Sequence, residues 1–255
     1  MSDPDFVIRL NAGNAPRALT ALDDKLDALH PSYTGHLCAE IAADVKKLRL
    51  SKDEFESSSD YQSRIAQMNN PVLHGQLRLS DTLAFVHHIR PSDVNYDADK
   101  SQMTGSFLFA GDQQLSSDKT QLLRSKILEE TNTGISKGQA RTESGISVHV
   151  TRYAYRVCAL NIANTRSWQR NKHDYRDKFS FNIPADEARL AKGRLKTLFV
   201  GRLVPQFIQN YDGVISPTVG SMSESTYTGS ALVFQLEQIW IYNQVTGRIY
   251  QKIMP

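Results

Sequence analysis

Chemistry in this chain would have to come from two cysteines, a few histidines and one run of cations mixed with rings. Cys38 and Cys158 lie too far apart for a C-x-x-C redox pair and are too few for a zinc site. One reading makes them two buried small hydrophobes. The other joins them in a disulfide between an N-terminal helical region and later strands, which would point to an oxidising compartment. His87 and His88 fall in a stretch of two-residue period. Adjacent strand residues point to opposite faces, so the two rings cannot readily grip one metal. His87 shares the parity of the apolar positions and is expected to be half-buried and hydrogen-bonded, with His88 facing solvent.

The basic run is the best candidate for a binding surface. Arg166, Arg170, Lys172, Arg176 and Lys178 interleave with Trp168, His173 and Tyr175. Such a mixture can neutralise phosphates while its rings stack on bases. Residues 166 to 202 hold ten Lys or Arg against four Asp or Glu, a local excess of six. The whole chain carries only +3, so the remainder is net acidic. The competing reading is a solvated loop and strand, moderated by Asp174 and Asp177. From this segment, Arg166, Trp168, Arg170, Lys172, Tyr175 and Arg176 are the candidate contact residues.

Other chemistries find little support. Gly134-Ile-Ser-Lys137-Gly138 lacks the spacing and ending of a Walker loop. Gly220-Ser221-Met222-Ser223 lacks the second glycine of a nucleophile elbow. Asp97-Ala-Asp99-Lys-Ser101 begins like a calcium loop, but Gln102 and Leu108 stand where glycine and glutamate are needed. It reads as a capped turn. No cofactor, metal or catalytic residue is assigned.

The elements that would position these groups follow from periodicity. Leu19, Leu22, Leu26 and Leu29 predict a helix over 14–29, stopped by His30-Pro31. Leu37, Ile41, Val45 and Leu48 predict a second helix over 33–48, making an antiparallel pair. Ser57 to Ser59 offer caps for a third, bearing Tyr61, Ile65 and Met68. Between Leu77 and Ile89 the large apolar residues occupy odd positions, as a strand with one buried face requires. Met103–Phe109 is expected to return as a strand after the polar turn 91–100. Residues 117–130 read as a helix and 132–144 as a loop. Residues 146–160 and 179–183 read as strands, and a helix over 184–199 carries Ala188, Ala191, Leu195 and Phe199. Ala231–Tyr242, a turn over 243–247 and a return over 248–253 read as a C-terminal β-hairpin. The fold class is therefore α+β: an N-terminal helix pair over 1–50, then a mostly antiparallel β-rich domain over 51–255, the two forming separate regions or one domain.

Two short segments carry a resemblance. Glu54-Phe55-Glu56 with Tyr61 and Arg64 resembles the E-F-E-x-x-x-x-Y-x-x-R segment of a loose set of uncharacterised bacterial exported or envelope proteins. Tyr96-Asp97-Ala98-Asp99-Lys100 is similar to a turn they carry, and Trp240-Ile241-Tyr242 with Thr246-Gly247 fits their last hairpin. The resemblance implies a periplasmic or secreted location if an export signal has been removed, and a cytoplasmic one otherwise. It transfers no catalytic residue.

Three functional expectations follow. The first is a non-enzymatic binding protein of a bacterial envelope or secretion-related system, its partner another protein, using strand edges and the 166–178 surface. The second is a nucleic-acid binder using the same surface. The third is a hydrolase whose site gathers distant residues around His87 or His149.

Overall fold

The structure is a computed structural model, and it describes residues 19–50, 52–108, 113–115, 122–141, 145–168, 176–218 and 221–255. Its elements run α1 (Cys38–Lys47), α2 (Ser58–Gln67), β1 (Val72–His74), β2 (Leu77–Arg78), β3 (Leu83–His88), β4 (Val94–Asp97), β5 (Gln102–Leu108), β6 (Gln113–Leu115), β7 (Leu122–Arg141) and β8 (Ser147–Ile162). There follow α3 (Thr165–Trp168), β9 (Arg176–Asn182), α4 (Ala185–Ala191), β10 (Leu195–Ile215), β11 (Ser223–Asn243) and β12 (Ile249–Ile253). The α+β class holds, with strands dominating.

A large sheet in the order β3-β10-β11-β8-β7-β6 organises the molecule, with β12 on the far half of β11. All its pairs are antiparallel except β8 and β11, which run parallel from Thr151↔Ser223 to Ile162↔Phe234. Because β8 and β11 start side by side, the hairpins β7–β8 and β10–β11 turn at the same end. The four long strands form a blade. At about 3.3 Å per residue, a strand of 21 residues reaches roughly 70 Å. A second sheet, β4-β5-β9, and the small β1–β2 pair complete the β structure.

Helix α1 lies on one face of the large sheet. Its Cys38, Ile41, Ala42 and Val45 recur at helical spacing and are buried. They share one core with Phe85, Leu160, Phe199, Leu232 and Phe234 of the sheet, and with Met103, Phe107 and Phe179 of the second sheet. Glu40 in the first turn and Lys46 and Lys47 in the last turn suit the helix dipole. In α2 the expected serine cap is present: Ser57 Oγ accepts from Asp60 N–H at 3.1 Å.

Only the second of the two predicted N-terminal helices forms, and it is shortened at its start. Residues 14–18 lie outside the described residues, and 19–37 contain no helix. They run as a strap over the other sheet face, where Leu22 and Leu29 pack against Trp240 and Tyr242. The strap's backbone bonds go across the fold: Leu22 N–H to Thr82 O at 2.9 Å and Leu29 N–H to Gly247 O at 2.8 Å. Those bonds replace the i→i−4 bonds that leucine spacing alone predicts. The next stretch is pinned to β3, where His36 N–H donates to Ala84 O at 2.8 Å. Gly35 has φ +69°, and any Cβ on it would meet Ala84 O at 2.7 Å.

Three other expectations are corrected. The predicted helix over 117–130 and loop over 132–144 are, where described, one strand, β7. The predicted helix over 184–199 ends at Ala191, and Leu195–Phe199 opens β10. The expected strand over 77–89 is divided between β2 and β3. For β7 the cause is visible in the register. Leu128 and Thr133 are extra residues opposite β8, so the alternation changes phase twice and imitates helical spacing. At the C-terminal end, β11 pairs antiparallel with β12, although β11 starts at Ser223, well before the expected Ala231.

Candidate functional site

Cys38 and Cys158 are joined in a disulfide, so the reading as two separate thiols is set aside. The bond ties the first residue of α1 to the second half of β8, with the two Cα atoms 5.8 Å apart. Beside it, the Glu129 carboxylate reaches from β7 to the start of the helix. It accepts from Cys38 N–H at 2.5 Å and from Ala39 N–H at 3.2 Å. The residue before the helix, Leu37, has no side chain able to cap it. Glu129 therefore satisfies two of the orphan amides from a distant strand.

Beside this staple, a cleft of about 390 Å³ lies between α1 and the blade. Ala39, Ala42, Ala43 and Lys46 of α1 form one wall. Thr131 of β7, Arg156 and Cys158 of β8, and Gly229 and Ser230 of β11 form the other. Gly229 fits because a Cβ there would sit 1.9 Å from Val157 O of the parallel neighbour. Lys46 and Arg156 are exposed, and among the described residues neither has a hydrogen-bond or ion-pair partner. Glu129 is committed to the helix amides. The cleft thus offers two cations and two hydroxyls, from Thr131 and Ser230, over small side chains. That donor set suits a carboxylate or another oxyanion.

Of the sequence-predicted binding residues, Arg166 and Trp168 do not line this cleft. Arg166 is exposed on α3. Trp168 is only 3% exposed, and its indole N–H donates to Leu236 O at 3.1 Å. That contact commits Trp168 to the core and takes it out of a stacking role. Arg170, Lys172 and Tyr175 lie outside the described residues. Arg176 opens β9 opposite Leu108. Lys46, Glu129 and Arg156 were not singled out from the sequence. No local pattern marks them, since the cleft exists only once β7 and β8 pair and the disulfide docks α1.

His88 faces solvent, as parity predicts. His87 is half-buried against Phe199, with ring centroids 6.4 Å apart. Its ring Nδ1 is buried and has no hydrogen-bond partner among the described residues. Burial, helped by the Lys126 charge, pushes the imidazole down to about 3. Burial likewise pushes Lys126 down to about 8. His149 is exposed on β8 opposite Gln139. The Asp97 turn is capped as expected, with Oδ1 accepting from Asp99 and Lys100 N–H groups.

The motif residues Glu56, Tyr61 and Arg64 hold structure together. Arg64 grips the Glu56 carboxylate through Nε at 2.7 Å and Nη2 at 2.9 Å, and donates from Nη1 to Arg49 O at 3.1 Å. The Tyr61 hydroxyl donates to Leu50 O and accepts from Gln206 N–H. Phe55, between the two glutamates, is 90% exposed.

In comparisons with known proteins, the chain matches no family model, no curated protein and no solved structure.

Proposed function

We propose that this chain is a non-enzymatic binding protein of an oxidising compartment, such as a bacterial envelope, and that it receives an acidic segment of a partner protein in the cleft between α1 and the blade. One observation carries the reading: Lys46 and Arg156, both without partners among the described residues, line a cleft whose walls a disulfide holds together. Disulfides persist where the surroundings are oxidising, which supports the compartment. Exposed cations beside a cleft steer an oppositely charged partner and fix its position more than they add bulk affinity.

The test is fluorescence anisotropy with a labelled oligoglutamate peptide, an oligonucleotide of equal charge serving as the comparison. The expected result is peptide binding that weakens as salt rises, with Lys46→Glu and Arg156→Glu each lowering affinity about tenfold or more. Binding indifferent to both reversals, or preference for the oligonucleotide, overturns the reading.

A further inference from the structure

The blade has an open side along β7. β6 pairs only with Leu122–Arg124. From Glu130 to Arg141, no strand among the described residues pairs with the outer side of β7. Nine of these twelve residues are exposed. The stretch has no proline, and its middle is built of Thr, Asn, Gly, Ile and Ser. A row of unpaired backbone N–H and C=O groups is a template for another strand. Ile135, at 66% exposure, stands in the middle of that row.

We propose that this edge docks a second copy of the chain, the two β7 strands running antiparallel about a two-fold axis at Thr133–Gly134. Charge is the first argument. Glu130 lies on one side of that point and Lys137 on the other. Antiparallel pairing sets acid against base, whereas parallel in-register pairing sets like against like. Neither Glu130 nor Lys137 has an ion-pair partner among the described residues.

The bulge at Thr133 is the second argument, because it selects the register. Glu130, Asn132, Ile135 and Lys137 stand opposite Val157, Tyr155, Tyr153 and Thr151, so all four occupy one sheet face. Thr131, Gly134 and Ser136 stand opposite Arg156, Ala154 and Arg152, on the other face. With the axis at the bulge, Glu130 meets Lys137 of the second copy, Asn132 meets Ile135, and Thr131 meets Ser136. Every pair then shares a face. Moving the axis to Ile135 puts Glu130 opposite Ala140, on the wrong face. Symmetry makes each contact twice, as a closed two-fold interface requires. The stacked Tyr153, Tyr155 and Tyr227 of the two copies would then lie on one continuous face. This proposal rests on the β7 edge; it shares Thr131 with the cleft wall but uses neither Lys46 nor Arg156.

Sedimentation equilibrium of the full, oxidised chain tests it. The expected result is a reversible dimer that Glu130→Lys and Lys137→Glu each weaken about tenfold or more, and that the double reversal restores. The neutral variants Glu130→Gln and Lys137→Gln should fall between wild type and reversal, and circular dichroism should show every variant folded. Oligoglutamate binding should be unchanged in all of them, which separates this edge from the cleft. A wild-type monomer at all concentrations overturns the proposal. So does a dimer indifferent to the single reversals, or one that the double reversal fails to restore.

Discussion

The Tyr61 hydroxyl donates to Leu50 O at 3.2 Å and accepts from Gln206 N–H at 2.8 Å, joining the end of the α1 region to a bulge in β10. That bulge holds Gln206 at φ 78° and Phe207 at φ 32°, backbone that non-glycine residues rarely adopt. Removing the hydroxyl leaves a half-buried carbonyl and amide unpaired, so Tyr61→Phe should cost about 1–3 kcal/mol in urea unfolding. His87 acts through pH. The folded chain keeps its ring neutral down to about 3, while an unfolded imidazole protonates near 6.5. As pH falls below 6.5, only the unfolded chain gains that proton, and stability drops with it. His87→Phe should flatten the loss between pH 7 and pH 5 by about 1–2 kcal/mol, measured by urea midpoints at both values. His36 is also held below its usual range by burial, so part of the acid sensitivity should remain in the variant.

At the scale of elements, α1 is fastened at its first turn by the Cys38–Cys158 bond and by Glu129. The bond closes a loop of 120 residues. Loops of that size constrain an unfolded chain strongly, so replacing both cysteines by serine should lower stability by about 2–5 kcal/mol. Amide hydrogen exchange should show the loss first in α1, while β10–β11 keeps its protection. Equal loss of protection throughout would mean that the bond stabilises only through the unfolded chain. Glu129→Gln retains one acceptor for the helix amides and should cost far less than the serine pair.

Across the whole molecule, the described residues 19–50 are part of the same packing as the sheet. Ile41, Val45 and Leu50 belong to the core that contains Phe234, and Leu22 and Leu29 cover Trp240 on the opposite face. A chain beginning at Ser51 would uncover both faces and lose Cys38. It should show no cooperative thermal transition by circular dichroism, whereas the full chain should unfold in one step. An independent transition in the shortened chain would restore a division at that point.

Local rules were legible where a segment's neighbours agree with its own preferences. The Ser57 cap, the Asp97 turn, the outward His88 and the strand content of 102–108 and 231–242 follow from caps, turn chemistry and parity. Those features involve residues a few positions apart, whose bonding options a reader of residues can enumerate. The 19–37 strap, β7 and the first part of β10 answer to partners far away in the chain. Backbone groups of Leu22 and Leu29 bond to Thr82 and Gly247, and two bulges in β7 scramble its alternation. The cleft belongs to this second kind. Lys46, Glu129 and Arg156 become neighbours only after a disulfide spanning 120 positions docks a helix on a sheet. No spacing in the sequence encodes that approach, because it is set by which strands pair and where the extra residues fall.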